Sequence, residues 1–216
     1  MNARFALLLW LLCLSALLCA CASKAPAGLS YYVLGENTTT RAAPVDASLP
    51  ALVLESVTLA DYLQQSGLVL QQGEHQLQVS RSHLWAEGLE LAVPEVLLGA
   101  LREASPQYRY FLRGRDFVPE SRYGLRLHLA AFQATDTGEV VASGRYQVVE
   151  AAAGREILNH QFNLREDLRA DGYPQVVRQL RELLAQLARS IVNDLPGSRP
   201  SSNDPPVSAE PARVAP

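Results

Sequence analysis

Cysteine is nearly missing from this chain. Its 216 residues hold three, and Cys13 and Cys19 sit inside an apolar N-terminal run. With that run removed Cys21 stands alone, so the chain can form no internal disulfide, thiolate pair or cysteine zinc site. Lysine is scarcer still, Lys24 being the only one. The formal net charge is −3, and no clustered basic face of the kind that binds nucleic acid is present. The four histidines, His75, His83, His128 and His160, show neither an i, i+4 pair nor metal-ligand spacing. No Gly-x-Ser-x-Gly elbow, P-loop or Gly-x-Gly-x-x-Gly turn occurs. Glu87/Glu90 and Glu166/Asp167 have the spacing of ordinary surface charge, and Arg113/Arg115 reads as a solvated strand end rather than a phosphate site. No enzymatic activity, metal or dissociable cofactor is expected.

What the sequence does have is a strongly apolar start. Met1-Asn2-Ala3-Arg4 is short and positive, and Phe5 to Leu18 is almost purely hydrophobic. About 14 residues is short for a permanent membrane span and fits the core of a secretion signal. Leu18-Cys19-Ala20-Cys21 then resembles the lipobox of bacterial lipoproteins: leucine three before the cysteine, a small residue just before it, then the thiol. Residues 1–20 are read as a signal peptide, and Cys21 as the lipidated N-terminus of the mature chain. That covalent lipid is the only attached group expected. Each buried CH₂ contributes ~0.8 kcal/mol, and two chains already anchor stably. Ala22 follows the cysteine, where aspartate would signal inner-membrane retention. The resemblance therefore implies the periplasmic face of the outer membrane. Residues 21–30 form the lipidated terminus and tether. The nine residues Ala22 to Ser30 reach roughly 15–18 Å as a flexible chain, which keeps the domain close to the bilayer.

Residues 31–195 are expected to form one periplasmic domain. Tyr31–Leu34 and Ala51–Val57 read as strands, with a turn or short helical segment at Leu59–Leu63. Leu68–Leu70 and Gln76–Val79 flank a glycine-tipped hairpin, in which Leu77 and Val79 alternate with polar residues. From Val93 the period becomes helical, with Val96, Leu97, Ala100, Leu101 and Ala104 in one stripe and Pro94 near the first turn. Tyr108–Leu112, Tyr123–Phe132, Glu139–Glu150 and Glu156–Leu164 read as a four-stranded meander. In the last of these His160 is expected to be a hydrogen-bonded core histidine. Pro174 opens the longest helix, to about Asp194, with Val176, Leu180, Leu183, Leu184, Leu187, Ile191 and Val192 on its apolar side. The tail, residues 196–216, holds six prolines and is expected to be disordered. The fold class is α/β of the α+β kind: a largely antiparallel sheet with two amphipathic helices packed on one face.

One stretch carries a family resemblance. Val57-Thr-Leu-Ala-Asp61-Tyr62-Leu63, then Gly67-Leu68-Val69, Gln76-Leu77 and His83-Leu84-Trp85-Ala86-Glu87-Gly88-Leu89 resemble the PqiC (YmbA-like) lipoproteins. So do Tyr31-Tyr32-Val33-Leu34 and the closing helix, which extends the likeness over residues 21–195. Ala60, Leu84 and Gly88 depart from the family's usual proline, arginine and proline. The resemblance implies an outer-membrane-anchored, non-enzymatic component of an MCE-type intermembrane lipid transport system. Its implied partner is an MCE-domain periplasmic tunnel protein, and its implied assembly a homo-oligomeric ring. Tyr62, Trp85 and Glu87 are the matching motif residues, implied as a partner or oligomer interface. Read from the residues alone, Trp85 packs beneath the helix or meets lipid, and Tyr62 plugs a protomer contact or caps the core. The alternative function is a lipoprotein activator or assembly factor of another envelope machine, a peptidoglycan synthase or a secretion pore. A nine-residue tether speaks against a role that must reach the inner membrane.

Overall fold

The computed structural model describes residues 28–35, 46–116 and 120–195. The signal segment 1–20, Cys21, most of the tether and the 196–216 tail lie outside the described residues.

Eight strands and two helices form one mixed sheet with a helical layer. The strands are β1 (Ser30–Tyr32), β2 (Ala51–Leu59), β3 (Gly67–Gln72), β4 (Gln76–Trp85), β5 (Arg109–Leu112), β6 (Tyr123–Thr135), β7 (Glu139–Glu150) and β8 (Arg155–Asp167). A 3-10 turn, Asp61–Gln64, joins β2 to β3. Helix α1 spans Leu89–Ala104 and α2 spans Tyr173–Asp194. The order β1-β4-β3-β6-β2-β5 runs across the sheet, and β7 and β8 continue from β6.

The α+β class stands. The long pairings, β6 with β7 and β7 with β8, are antiparallel, as is the β3–β4 hairpin. Shorter parallel pairings join β1 to β4, β2 to β5, β2 to β6 and β3 to β6.

The meander has three strands, not four. β5 leaves it and pairs in parallel with β2, Ala51 opposite Arg109 and Leu54 opposite Leu112. Helix α1 is the crossover that brings β5 back to the sheet, and the chain between β5 and β6 is too long for a tight hairpin.

Both helices pack on one face and against each other. The stripe expected of α2 is buried throughout, and it meets Leu125, Leu127 and Leu129 of β6 and Tyr146 and Val148 of β7 in the same core. Helix α1 starts earlier than its period suggests. The Gly88 carbonyl accepts from the Leu91 and Ala92 amides and opens the helix at Leu89. Pro94 is consequently inside it and buried. Proline there removes only the amide that would have served the carbonyl of exposed Glu90. In the hairpin, Leu77 and Val79 are each 40% exposed rather than tucked away. β1 covers only His83 to Trp85 of β4, so the first half of β4 is an open edge.

Candidate functional site

The three motif residues fall where β2 turns into β3 and β4 turns into α1. Trp85 closes β4. It pairs with Tyr32, and its amide donates to the Ser66 carbonyl at 2.7 Å, just before β3 begins. Its ring is in the core, 7% exposed. Tyr62 lies in the 3-10 turn, half-buried, its hydroxyl 2.7 Å from the Ala130 carbonyl and 2.8 Å from Gln133 Oε1. One phenolic proton is thus shared between two acceptors. Burial pushes the Tyr62 phenol above its ordinary range, and the Gln133 contact offsets part of that. Glu87 is exposed, in the bend that leads into α1.

The Tyr62 contact has a local cause. The β6–β7 register steps from Leu129/Gly144 to Ala131/Ser143, which leaves Ala130 as the extra residue of a bulge. Its carbonyl accepts from Tyr62, a side chain supplied by another element. Gln133 completes a buried network: its Oε1 also accepts from the Phe132 amide at 3.3 Å, and its Nε2 donates to Gln71 Oε1 at 3.1 Å. The 3-10 turn, β3 and β6 are tied together through this one amide.

A second cluster fixes β1. Tyr32 OH is 2.9 Å from His83 Nδ1, and the His83 ring stacks on Tyr173 with centroids 3.8 Å apart. The edge strand is thereby joined to the start of α2.

Across β2 and β6 the sheet face away from the helices carries charged side chains. Glu55 holds Arg126 at 2.8 Å and Arg113 at 3.4 Å there, whereas Arg115 pairs with Glu95 of helix α1. Arg113 and Arg115 thus answer to separate carboxylates and form no joint phosphate cradle. A shallow hollow of about 410 Å³ on this side is lined by residues including His128, Ser143, Arg145, Gln161 and Asn163. It offers hydrogen-bond donors and acceptors, and its lining includes no carboxylate. Among the described residues no group of three or more His, Cys, Asp and Glu is placed to hold a metal ion. None of their helices is long and apolar enough to cross a membrane.

His160 departs from expectation. Its side chain is 48% exposed, stacked on Tyr146 with centroids 5.2 Å apart and 3.4 Å from Asp194 Oδ2. Asp194 also accepts from the Tyr146 hydroxyl at 2.6 Å. The histidine lies over the outside of the core at the end of α2. Burial, with Asp194 beside it, raises the Tyr146 phenol strongly.

Sequence reasoning missed Gln133 and Gly144. Gln133 has no sequence signal, because its role exists only once the bulge and the 3-10 turn meet. Gly144 had one, since an isolated glycine inside a strand pattern marks a close backbone approach.

Two of the motif residues should separate cleanly in a stability experiment. Trp85→Ala is expected to cost about 3–5 kcal/mol, the usual range for deleting a buried aromatic ring. Glu87→Ala should stay within about 0.5 kcal/mol of the parent. Urea midpoints at constant slope measure both, and equal midpoints for the two variants would contradict the placement of Trp85.

Residues 32–192 match the sequence model of a family described as the ABC-type transport auxiliary lipoprotein component. The intermembrane transport lipoprotein PqiC of Escherichia coli (strain K12) is 25% identical over 193 residues, covering 86% of this chain and 96% of PqiC. The PqiC of Shigella flexneri matches to the same extent. Among solved structures, an uncharacterized protein superimposes with a TM-score of 0.63 at 24% identity, over 77% of this chain and 97% of its own. A Xanthomonas campestris protein does so with a TM-score of 0.58 at 14% identity, over 76% and 92%. These two share the fold.

Proposed function

Since this chain belongs to the family of ABC-type transport auxiliary lipoprotein components, we propose that it is a non-enzymatic docking element of an intermembrane lipid transport system. In this reading a lipid on Cys21 holds it to the periplasmic face of the outer membrane. There it receives the end of a periplasmic tunnel built by an MCE-domain protein, as one copy in a homo-oligomeric ring.

The observation that carries the reading is the extent of the family match, residues 32–192, which runs from β1 nearly to the end of α2. The whole folded unit is what the family shares. The name of the Escherichia coli relative, an intermembrane transport lipoprotein, points the same way. The internal design also suits a platform. Tyr62 and Trp85 are spent on holding the turn, β3, β4 and β6 in one rigid body, and Glu87 stands exposed beside them. Glu87 and the exposed edge of Tyr62 are then the motif's contribution to a partner or neighbouring-copy contact, with Trp85 positioning them from beneath.

Crosslinking the tagged protein in its envelope, solubilising it and identifying the captured partners by mass spectrometry tests this. Recovery of an MCE-domain protein is expected. Glu87→Ala should lower that recovery while leaving the unfolding midpoint unchanged. Recovery of a peptidoglycan synthase or a secretion component instead would overturn the transport reading.

A further inference from the structure

β1 runs parallel to β4, with Ser30 opposite His83 and Tyr32 opposite Trp85. The chain entering β1 therefore comes from the side where β4 begins, at Gln76, beside the β3–β4 hairpin tip. Gly28 is the first described residue, and Cys21 lies seven residues before it. That stretch spans at most about 25 Å when fully extended. An acyl group on Cys21 cannot be farther than this from Gly28.

This end of the sheet carries apolar surface left open among the described residues. Leu77 and Val79, near the start of β4, are each 40% exposed. Leu29, on the chain that approaches β1 from this side, is 60% exposed, while Tyr31, 62% exposed, lies farther along, opposite Leu84. The registers place Tyr31 opposite Leu84, Leu84 opposite Gly67, and Val69 opposite Val79. Directly paired residues point to the same side of a sheet. Leu70 pairs with Ala134 on the core side, so Val69 and Gln71, and with them their β4 partners Val79 and Leu77, turn to the face away from the helices. Exposed apolar stripes of this kind mark contact surfaces. The hairpin is also fixed in place, because the Gly73 amide donates to Asp136 Oδ2 at 2.9 Å and ties its tip to the β6–β7 turn.

We infer that the β3–β4 hairpin, through Leu77 and Val79 and with Leu29 on the chain that approaches β1 from that side, rests in the headgroup layer of the membrane and is a second, non-covalent anchor that sets the domain's orientation. The inference rests on the lipidation of Cys21 proposed above, and it adds which end of the domain faces the lipid. A second copy of the chain could also cover an apolar edge, but no feature draws one to this end. The chain enters β1 from this side, and a lipid anchor within about 25 Å of Gly28 along that approach draws the bilayer there. The same orientation puts Glu87, which follows the far end of β4, on the side away from the membrane, where a tunnel protein would arrive.

The test uses the full chain, processed and acylated in cells. It is reconstituted into vesicles of phosphatidylethanolamine and phosphatidylglycerol that contain a nitroxide-labelled lipid. Single variants Leu29→Cys, Leu77→Cys and Ala152→Cys carry an environment-sensitive fluorophore, Ala152 lying in the β7–β8 turn at the other end of the sheet. Labels at 29 and 77 should shift to the blue and lose most of their emission to the nitroxide, while the label at 152 keeps its own. Equal quenching at all three, or at none, with acyl chains found on Cys21 by mass spectrometry, overturns the orientation and leaves the anchor standing. A mature chain without acyl chains overturns both. Labels at 77 that quench one another in detergent and ignore the nitroxide lipid assign the stripe to a second copy, and also overturn the inference.

Discussion

Gly144→Ala is expected to unfold the domain or leave it barely folded. A Cβ built on Gly144 would lie 1.9 Å from the carbonyl oxygen of His128, on the neighbouring strand. That oxygen belongs to backbone, so no rotamer change relieves the overlap. β6 and β7 would have to part at the centre of the sheet, beside the bulge that Tyr62 holds. The cost should be about 4 kcal/mol or more, at the high end for single substitutions. Whole domains are stable by only about 5–15 kcal/mol. Gly154→Ala makes the control. It too has a positive φ, +62°, but nothing lies within 4 Å of its Cβ. It should lose only the left-handed penalty, roughly 1–2 kcal/mol. Urea unfolding of both variants measures the difference. A Gly144→Ala protein as stable as the Gly154→Ala protein would show that β6 and β7 are not packed as described.

The second large effect concerns attachment rather than folding. When Cys21 is exchanged for serine behind an ordinary secretion signal, the domain should fold with an unchanged unfolding midpoint and leave the membrane fraction altogether. Each buried CH₂ of an acyl chain is worth ~0.8 kcal/mol, so two or three chains hold essentially all of the protein on the membrane. No exposed stripe on a single domain replaces that. Transport of lipid should fail with the loss of attachment. Fractionation and a lipid-permeability phenotype report the two separately, and normal transport by the released form would remove anchoring from the mechanism.

Much of this was legible in the sequence because the signals were local. The stripe of α2 repeats from Val176 to Val192, and every residue assigned to its apolar side is buried. The β3–β4 hairpin followed from Gly73, whose φ of +63° the turn requires. The placement of β5 was not legible, since its four residues pair with a strand more than fifty positions earlier. Neither was the exposure of His160, because alternation gives a face but does not say where a helix stops covering it. The same limit applies to Leu77 and Val79, which have a core-like pattern and an open face. In the site, Tyr62 and Trp85 stood out as aromatic motif residues. Their roles were hidden, because the acceptor of one and the strand neighbours of the other arrive from elsewhere in the chain.

The parallel edge strand has a mechanical consequence. A protein tethered by lipid at one end and gripped by a partner at the other carries tension along its polypeptide. Because β1 enters alongside β4 in the same direction, a pull from the anchor is directed along the strand axis. Its hydrogen bonds are then loaded together, in shear, and do not peel apart one at a time. The stacked His83 and Tyr173 rings pass the load on into α2. Under the lipid attachment proposed above, a strand of three residues is the joint that carries tension between a membrane and the body of the domain.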